Sequence, residues 1–193
     1  MSLAPASRHD PQPRAPVPRH VVKALLDRLG AALVLLLAAP WLVVIAVAIW
    51  LDDGGPVLRR ERRLGQWGRE FSLLRFRTRT WSGRQDGTVT RVGAFLLRHA
   101  LDGLPQLLNV LRGDLSFVGP RAPVPGPEAG GWASAGPAVR PGLTAPWDRR
   151  GTPRPGEEET LELQRYLGSW TLRSDLTILW RWLRDSSRRP GPA

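Results

Sequence analysis

The residues best suited to chemistry lie close together. Asp102 stands in the run Leu101-Asp102-Gly103-Leu104-Pro105, just ahead of an apolar helical segment. An acid at a helix start meets unpaired backbone N–H groups and the positive end of the helix dipole, which favours its ionised form. Capping is one role for such an acid. The other is nucleophilic, because a carboxylate can attack phosphorus and form an acyl phosphate. Val118-Gly119-Pro120-Arg121 follows and can present backbone N–H groups and a guanidinium to a phosphate. Arg140-Pro141-Gly142 offers a second such corner, and Arg75, Arg77, Arg79 and Arg98 add positive charge. Taken singly, each arginine reads equally as part of a solvated basic face.

These residues need a scaffold, and composition bounds it. With 193 residues the chain can form one domain with a real core, plus a tail or an anchor. The net charge of +11 rests on arginine, since Lys23 is the only lysine. That balance suits an anionic partner: nucleic acid, a phospholipid surface or a phosphorylated substrate. The absence of cysteine excludes disulfides, thiol catalysis and cysteine-ligated zinc. His9, His20 and His99 are too scattered to form a metal site.

Residues 1–20 are rich in proline and arginine and read as a disordered basic tail. Residues 21–53 contain an uncharged run, residues 30–51, whose 22 residues would cover roughly 33 Å as a helix. It is too long for a signal peptide and has no polar face to suit a buried core helix. A straight span would place basic flanks on both sides of the membrane: residues 1–28 carry net +3 and residues 51–193 net +8. Both flanks therefore favour the cytoplasmic side. Pro40 sits mid-run, so a helix that enters, breaks at Ala39-Pro40 and returns to the same face satisfies both observations. The straight span is the alternative.

Beyond Gly54-Gly55-Pro56, residues 57–63 and 71–76 read as a short hairpin around Gly65 and Gly68. Residues 81–90 read as loop and residues 91–99 as a short helix. Residues 104–111 form a better helix, with Pro105 in its first turn, Leu104, Leu107, Leu108 and Leu111 on one face, and Gly113 as its stop. Residues 123–155 read mostly as loop. Residues 160–167 and 174–183 close the chain as helices, the second with Ser174 as cap and Asp175 in the first turn. Its stripe Leu176, Leu179, Trp180, Leu183 suits either a core face or an interfacial helix with tryptophan at headgroup depth. The fold class is thus α-rich α+β: a re-entrant membrane helix (21–53), a short β-hairpin, a compact helical domain (54–185) with interfacial amphipathic helices, and a tail (186–193).

The ordered blocks resemble those of the bacterial sugar transferase family, the small monotopic polyprenyl-phosphate phosphoglycosyl transferases. They run from Val22-Lys23-Ala24-Leu25-Leu26-Asp27 and Ala39-Pro40 through Phe71-Ser72-Leu73-Leu74-Arg75-Phe76-Arg77-Thr78. They continue with Leu101 to Arg121, Arg140-Pro141-Gly142-Leu143-Thr144 and Trp170-Thr171-Leu172-Arg173-Ser174-Asp175. The resemblance implies an enzyme at the cytoplasmic face of a bacterial plasma membrane. Asp102 would attack the sugar-linked phosphate of a nucleotide-sugar, usually a UDP-sugar, with Mg²⁺ helping the nucleoside monophosphate leave. Polyprenyl phosphate would then take the phosphosugar and start an exopolysaccharide or other surface glycan. Arg121 and Arg140 would contact phosphate, with Arg98 near the nucleophile and Arg75 and Arg77 in support. Nucleotide-sugar, polyprenyl phosphate and membrane lipids are the implied partners. Self-association is compatible with the sequence. A nucleic-acid partner is not expected, given the uncharged run and the lack of a recognition helix or stacking platform.

The departures from the family pattern are informative. The resemblance implies a glutamate directly after the nucleophile, helping to hold the metal, and here that position is Gly103. Asp114 is no replacement, because an acid is expected there in any case. Arg75 and Arg79 stand where lysine and methionine are expected, Ala122 where a second proline is, Ala145 where a glycine is, and Leu163 where an aspartate is. Two readings follow: a transferase that keeps its nucleophile, and a catalytically silent membrane homologue with a binding or regulatory role.

Overall fold

The computed structural model describes residues 17–81, 87–126, 140–144 and 171–186. Helix α1 spans Val17–Asp53, followed by strands β1 (Leu58–Leu64) and β2 (Glu70–Phe76), helices α2 (Arg91–Arg98) and α3 (Gln106–Arg112), short strands β3 (Ser116–Val118) and β4 (Gly142–Thr144), and helix α4 (Leu172–Ser186). Residues 17–20, read as tail, are already helical, and the rest of that tail lies outside the described residues. So do the expected helix at 160–167 and residues 187–193.

Two physical facts define α1. Its stretch from Val21 to Asp53 is long and apolar enough to cross a membrane. Most of its large side chains, including Leu33, Leu36, Leu37, Trp41, Val43 and Trp50, are exposed. Yet both halves of the helix are anchored to the rest of the protein. Ala31 is buried in a cluster with Leu73, Val110 and Leu115, and Ile49 in a second cluster with Phe76 and Leu96. α1 is helical on both sides of Pro40, so the turn expected at Ala39-Pro40 takes the form of a bend within the helix, not a gap in it, if the chain returns there. A proline inside a helix removes one backbone donor and leaves the carbonyl four residues back, here of Leu36, without its helical partner.

β1 and β2 form the expected antiparallel hairpin, from Leu58 opposite Phe76 to Leu64 opposite Glu70. Its turn places Trp67 at φ 60 and Gly68 at φ 68. The other edge of β2 is held by a side chain. Asn109, fully buried on α3, accepts from the Leu74 N–H at 3.0 Å and donates to the Ser72 carbonyl at 2.8 Å. α3 therefore buries Gln106, Leu107, Asn109 and Val110, whereas Leu111 of the expected stripe is exposed. Its buried face is set by Asn109 stitching to β2 as much as by leucine periodicity. Gly113, at φ 89, ends the helix as expected.

β3 and β4 pair in parallel, Ser116 with Gly142 and Val118 with Thr144. The pairing of residues 142–144 replaces the loop expected there and stacks the two proline corners on each other. The Gly142 N–H donates to the Pro120 carbonyl at 2.9 Å and the Ser116 N–H to the Pro141 carbonyl at 2.8 Å. A Cβ at Gly119 would lie 2.5 Å from the Arg140 carbonyl oxygen, so only glycine permits this approach.

α4 begins earlier than its sequence signal. Thr171 and Ser174 exchange side-chain–backbone hydrogen bonds, both 3.1 Å, so Thr171 is the cap and Ser174 its reciprocal partner. Asp175 is buried and takes a hydrogen bond from Lys23 of α1, while the Asp27 carboxylate accepts from Ser116 Oγ at 2.7 Å. Lys23, the one lysine, thus ties the first and last described helices together. Leu176 and Trp180 are exposed, so this part of the α4 stripe does not face the core.

Candidate active site

Asp102 lies in a tight turn, Leu101–Gly103, wedged between α2 and α3. The turn is entered through Ala100 in the left-handed region, φ 53 and ψ 29. A side chain there costs on the order of 1 kcal/mol, a strain that the flanking packing must hold. Of the two roles open to Asp102, capping is not what the structure shows: no side chain caps either this turn or α3. The Asp102 carboxylate instead faces β2, where Arg75 Nη1 lies 3.1 Å from Oδ2. The Asp102 side chain is 13% exposed and that of Arg75 41%, so the carboxylate is the more enclosed member of the pair. Arg75 Nε is buried without a hydrogen-bond partner among the described residues.

The pair follows from packing. Asn109 clamps β2 at Ser72 and Leu74, the residue before Arg75, and sits on the helix that Asp102 precedes. One buried amide therefore fixes the strand of the cation relative to the helix of the anion. Sequence reasoning missed Asn109. Its signal was a polar residue inside the apolar run Leu107-Leu108-Asn109-Val110-Leu111.

The other arginines divide by location. Arg98 and Arg121 are exposed, Arg98 in the last turn of α2 and Arg121 directly after the Gly119-Pro120 corner. Arg77 is committed elsewhere: its two terminal nitrogens bind the Asp53 carboxylate and its Nε donates to the Pro56 carbonyl at 2.6 Å. Asp53 also accepts from the Trp81 N–H at 2.8 Å. The hydrogen bond from Arg77 holds the Asp53 carboxyl down at about 2. Arg77 thus latches the end of α1 rather than lining the Asp102 site. Arg79 Nη1 donates to the Gly87 carbonyl at 3.0 Å. Arg140, half-buried at the β3–β4 corner, feels Arg28, Asp27 and Asp114; burial and the Arg28 charge lower its pKa. The fold therefore gathers Arg75 to Asp102 at one end of α3 and Arg140 with Arg28 and Asp114 near the other.

A Mg²⁺ ion needs near-octahedral oxygen ligation and usually takes one or two carboxylates. Among the described residues no cluster of three acids or histidines could hold a metal. The Asp102 carboxylate is already ion-paired to Arg75. Position 103 has no side chain, and a Cβ there would meet only the Gln106 amide, with Nε2 at 3.3 Å. Beside Asp102, position 103 adds no oxygen and the carboxylate already has a cationic partner, so the described residues build no acid pair for a hard divalent cation there.

The family model described as bacterial sugar transferase matches residues 18–188. The chain belongs to that family. Among curated relatives of this bacterial sugar transferase, a UDP-glucose:undecaprenyl-phosphate glucose-1-phosphate transferase of Caulobacter vibrioides is 40% identical, covering 88% of this chain and 72% of that protein. The exopolysaccharide production protein ExoY of Rhizobium meliloti is 34% identical over 83% of each chain. An undecaprenyl-phosphate glucose phosphotransferase of Komagataeibacter xylinus is 35% identical, and the match spans 81% of this chain but 34% of that longer protein. Family membership makes this chain a transferase. Within it, the Arg75–Asp102 pair is the one contact between a candidate cation and the candidate nucleophile that the described residues show.

Proposed function

We propose that this bacterial sugar transferase moves a sugar 1-phosphate from a UDP-sugar to polyprenyl phosphate, using Asp102 as nucleophile and initiating an exopolysaccharide. The observation that carries the reading is a carboxylate set in a strained turn, paired to a half-exposed guanidinium. An Asp102 oxygen forms a bond to the sugar-bearing phosphorus, and the bond from that phosphorus to the bridging oxygen breaks. The electron pair leaves with UMP. An oxygen of polyprenyl phosphate then attacks the same phosphorus, and the Asp102 carboxylate is regenerated. The products are UMP and a polyprenyl-diphosphate sugar. The names of the Caulobacter and Rhizobium relatives support the donor, the acceptor and the pathway.

The reaction is placed at the cytoplasmic face of the plasma membrane, on a re-entrant α1. Ala31 and Ile49 are 18 residues apart, about 27 Å along a straight helix. Their clusters include Leu73 and Phe76, which are at most about 11 Å apart on one strand. Both ends attached to one small body, with an exposed apolar middle, support a return to the same side. On α4, exposed Leu176 and Trp180 accompany exposed Arg173, Arg181 and Arg184, which supports an interfacial helix.

The deciding experiment incubates the full chain, in membranes or lipid nanodiscs, with a panel of UDP-sugars and polyprenyl phosphate. UMP release and a phosphosugar adduct on Asp102, detected by mass spectrometry and lost in Asp102→Asn, are expected. No release and no adduct with any donor would favour the silent homologue, the reading that Gly103 motivates.

A further inference from the structure

We propose that Arg75 supplies the positive charge at the reacting phosphate, so that phosphosugar transfer in this protein needs no divalent cation. The inference rests on the transferase reading and adds to it the means of charge neutralisation. Attack of one anion on another requires cations at the phosphorus, and the departing UMP carries further negative charge. An acid-held Mg²⁺ is one solution. Among the described residues, those around Asp102 do not build it: position 103 contributes no oxygen, the nearest side chain to it is an amide, and the carboxylate already has a cationic partner.

What the site does hold is a guanidinium in the right place. Arg75 Nη1 lies 3.1 Å from Asp102, its Nε has no hydrogen-bond partner among the described residues, and its side chain is 41% exposed. A guanidinium is planar, always charged, and carries five donors in a fork that matches phosphate oxygens. One face of the fork can orient the carboxylate while the other engages an oxygen of the incoming phosphate. Arginine groups placed in this way at transferring phosphoryl groups contribute about 10³–10⁵ in rate. Because β2 is pinned by Asn109, the charge is held before substrate arrives, and preorganised charge is the effective kind.

The test uses the full chain in lipid nanodiscs with the best UDP-sugar donor and polyprenyl phosphate, after treatment with excess chelator. UMP release with chelator is expected to stay within about threefold of release with Mg²⁺. Arg75→Ala should lose at least about 10²-fold and recover part of it with added guanidinium ion but none with Mg²⁺. Arg75→Lys, which keeps charge but loses the fork, should stay chelator-resistant and slower than the parent. A binding readout is independent of turnover. Mn²⁺ titrated by electron paramagnetic resonance should show no protein site beyond that of free UDP-sugar, and Gly103→Glu should create one. Release that falls more than tenfold with chelator, a Mn²⁺ site in the parent, or parental rates in Arg75→Ala would each overturn the proposal while the transferase reading stands. No release under either condition would remove that reading, and the proposal with it.

Discussion

The two ends of α3 carry an aspartate each and are built on opposite principles. At the C-terminal end, Asp114 accepts from Asn109 Nδ2 at 3.2 Å, Gly113 closes the helix in its natural conformation, and the Arg28 guanidinium packs against Gly113, 2.6 Å from where a Cβ would be. Every strong feature there has a structural partner. At the N-terminal end, Ala100 is strained, Asp102 caps nothing, its neighbour is glycine, and its partner Arg75 is 41% exposed. One end spends its polar groups on the fold. The other keeps a carboxylate and a cation incompletely used, as a site awaiting a third group must.

The contrast can be broken most sharply by exchanging effects between the ends. Asp102→Asn should lower any transferase rate by at least about 10³-fold, while leaving the melting temperature within about 2 °C. A large loss of stability instead would make Asp102 a structural residue like Asp114. Asn109→Ala should do the reverse. It leaves the Leu74 N–H and the Ser72 carbonyl without partners beside a buried helix, at a cost of about 2–4 kcal/mol. Denaturant unfolding in detergent would measure it, and a cost below about 1 kcal/mol would mean that Asn109 does not fix β2.

How much of this was legible in the sequence depends on the range of the interaction. The hairpin, α2 and the Gly113 stop were readable because local signals decide them: turn glycines, the Thr90 cap, whose Oγ1 accepts from the Gly93 N–H at 2.9 Å, and the left-handed glycine. The parallel β3–β4 pair was not. Its strands are three residues each and lie 23 residues apart, and short strands in parallel carry no alternation to detect. The mirrored corners Gly119-Pro120-Arg121 and Arg140-Pro141-Gly142 were noticed, but not that they pack together. Asp102 stands out by its local context, but the cation beside it does not. The charge that meets it comes from β2, 27 residues earlier, and not from the helix it precedes. Arg75 and Arg77 look equivalent in sequence. Arg75 lies on β2 and Arg77 directly follows its last residue, and only tertiary structure shows that one meets Asp102 and the other Asp53.

That divergence gives a third test. The Asp53 carboxyl is depressed to about 2 by Arg77 in the folded chain, against about 3.9 in an unfolded one. Its contribution to stability is therefore present above about pH 4 and is lost as pH falls toward 2. The melting temperature should drop through that window, and Arg77→Met should flatten the drop while lowering stability near neutral pH. An unchanged acid limb in Arg77→Met would show that the α1 latch does not depend on this pair.

The smallest expected effect probes the strained side of the comparison. Ala100 holds a left-handed conformation that glycine adopts without a Cβ penalty. Ala100→Gly should therefore raise stability by about 0.5–1 kcal/mol, an unusual direction for a glycine replacement. If the strain serves to present Asp102, the same variant should turn over more slowly, because a relaxed turn no longer fixes the carboxylate against Arg75. Stability and rate would then move in opposite directions at this end of α3. At the other end Gly113→Ala must lower stability, since a Cβ would be forced into the left-handed region and against Arg28. Parallel changes in both measurements at Ala100 would mean that the turn is an ordinary tight connection, and that the two ends of α3 differ less than their geometry indicates.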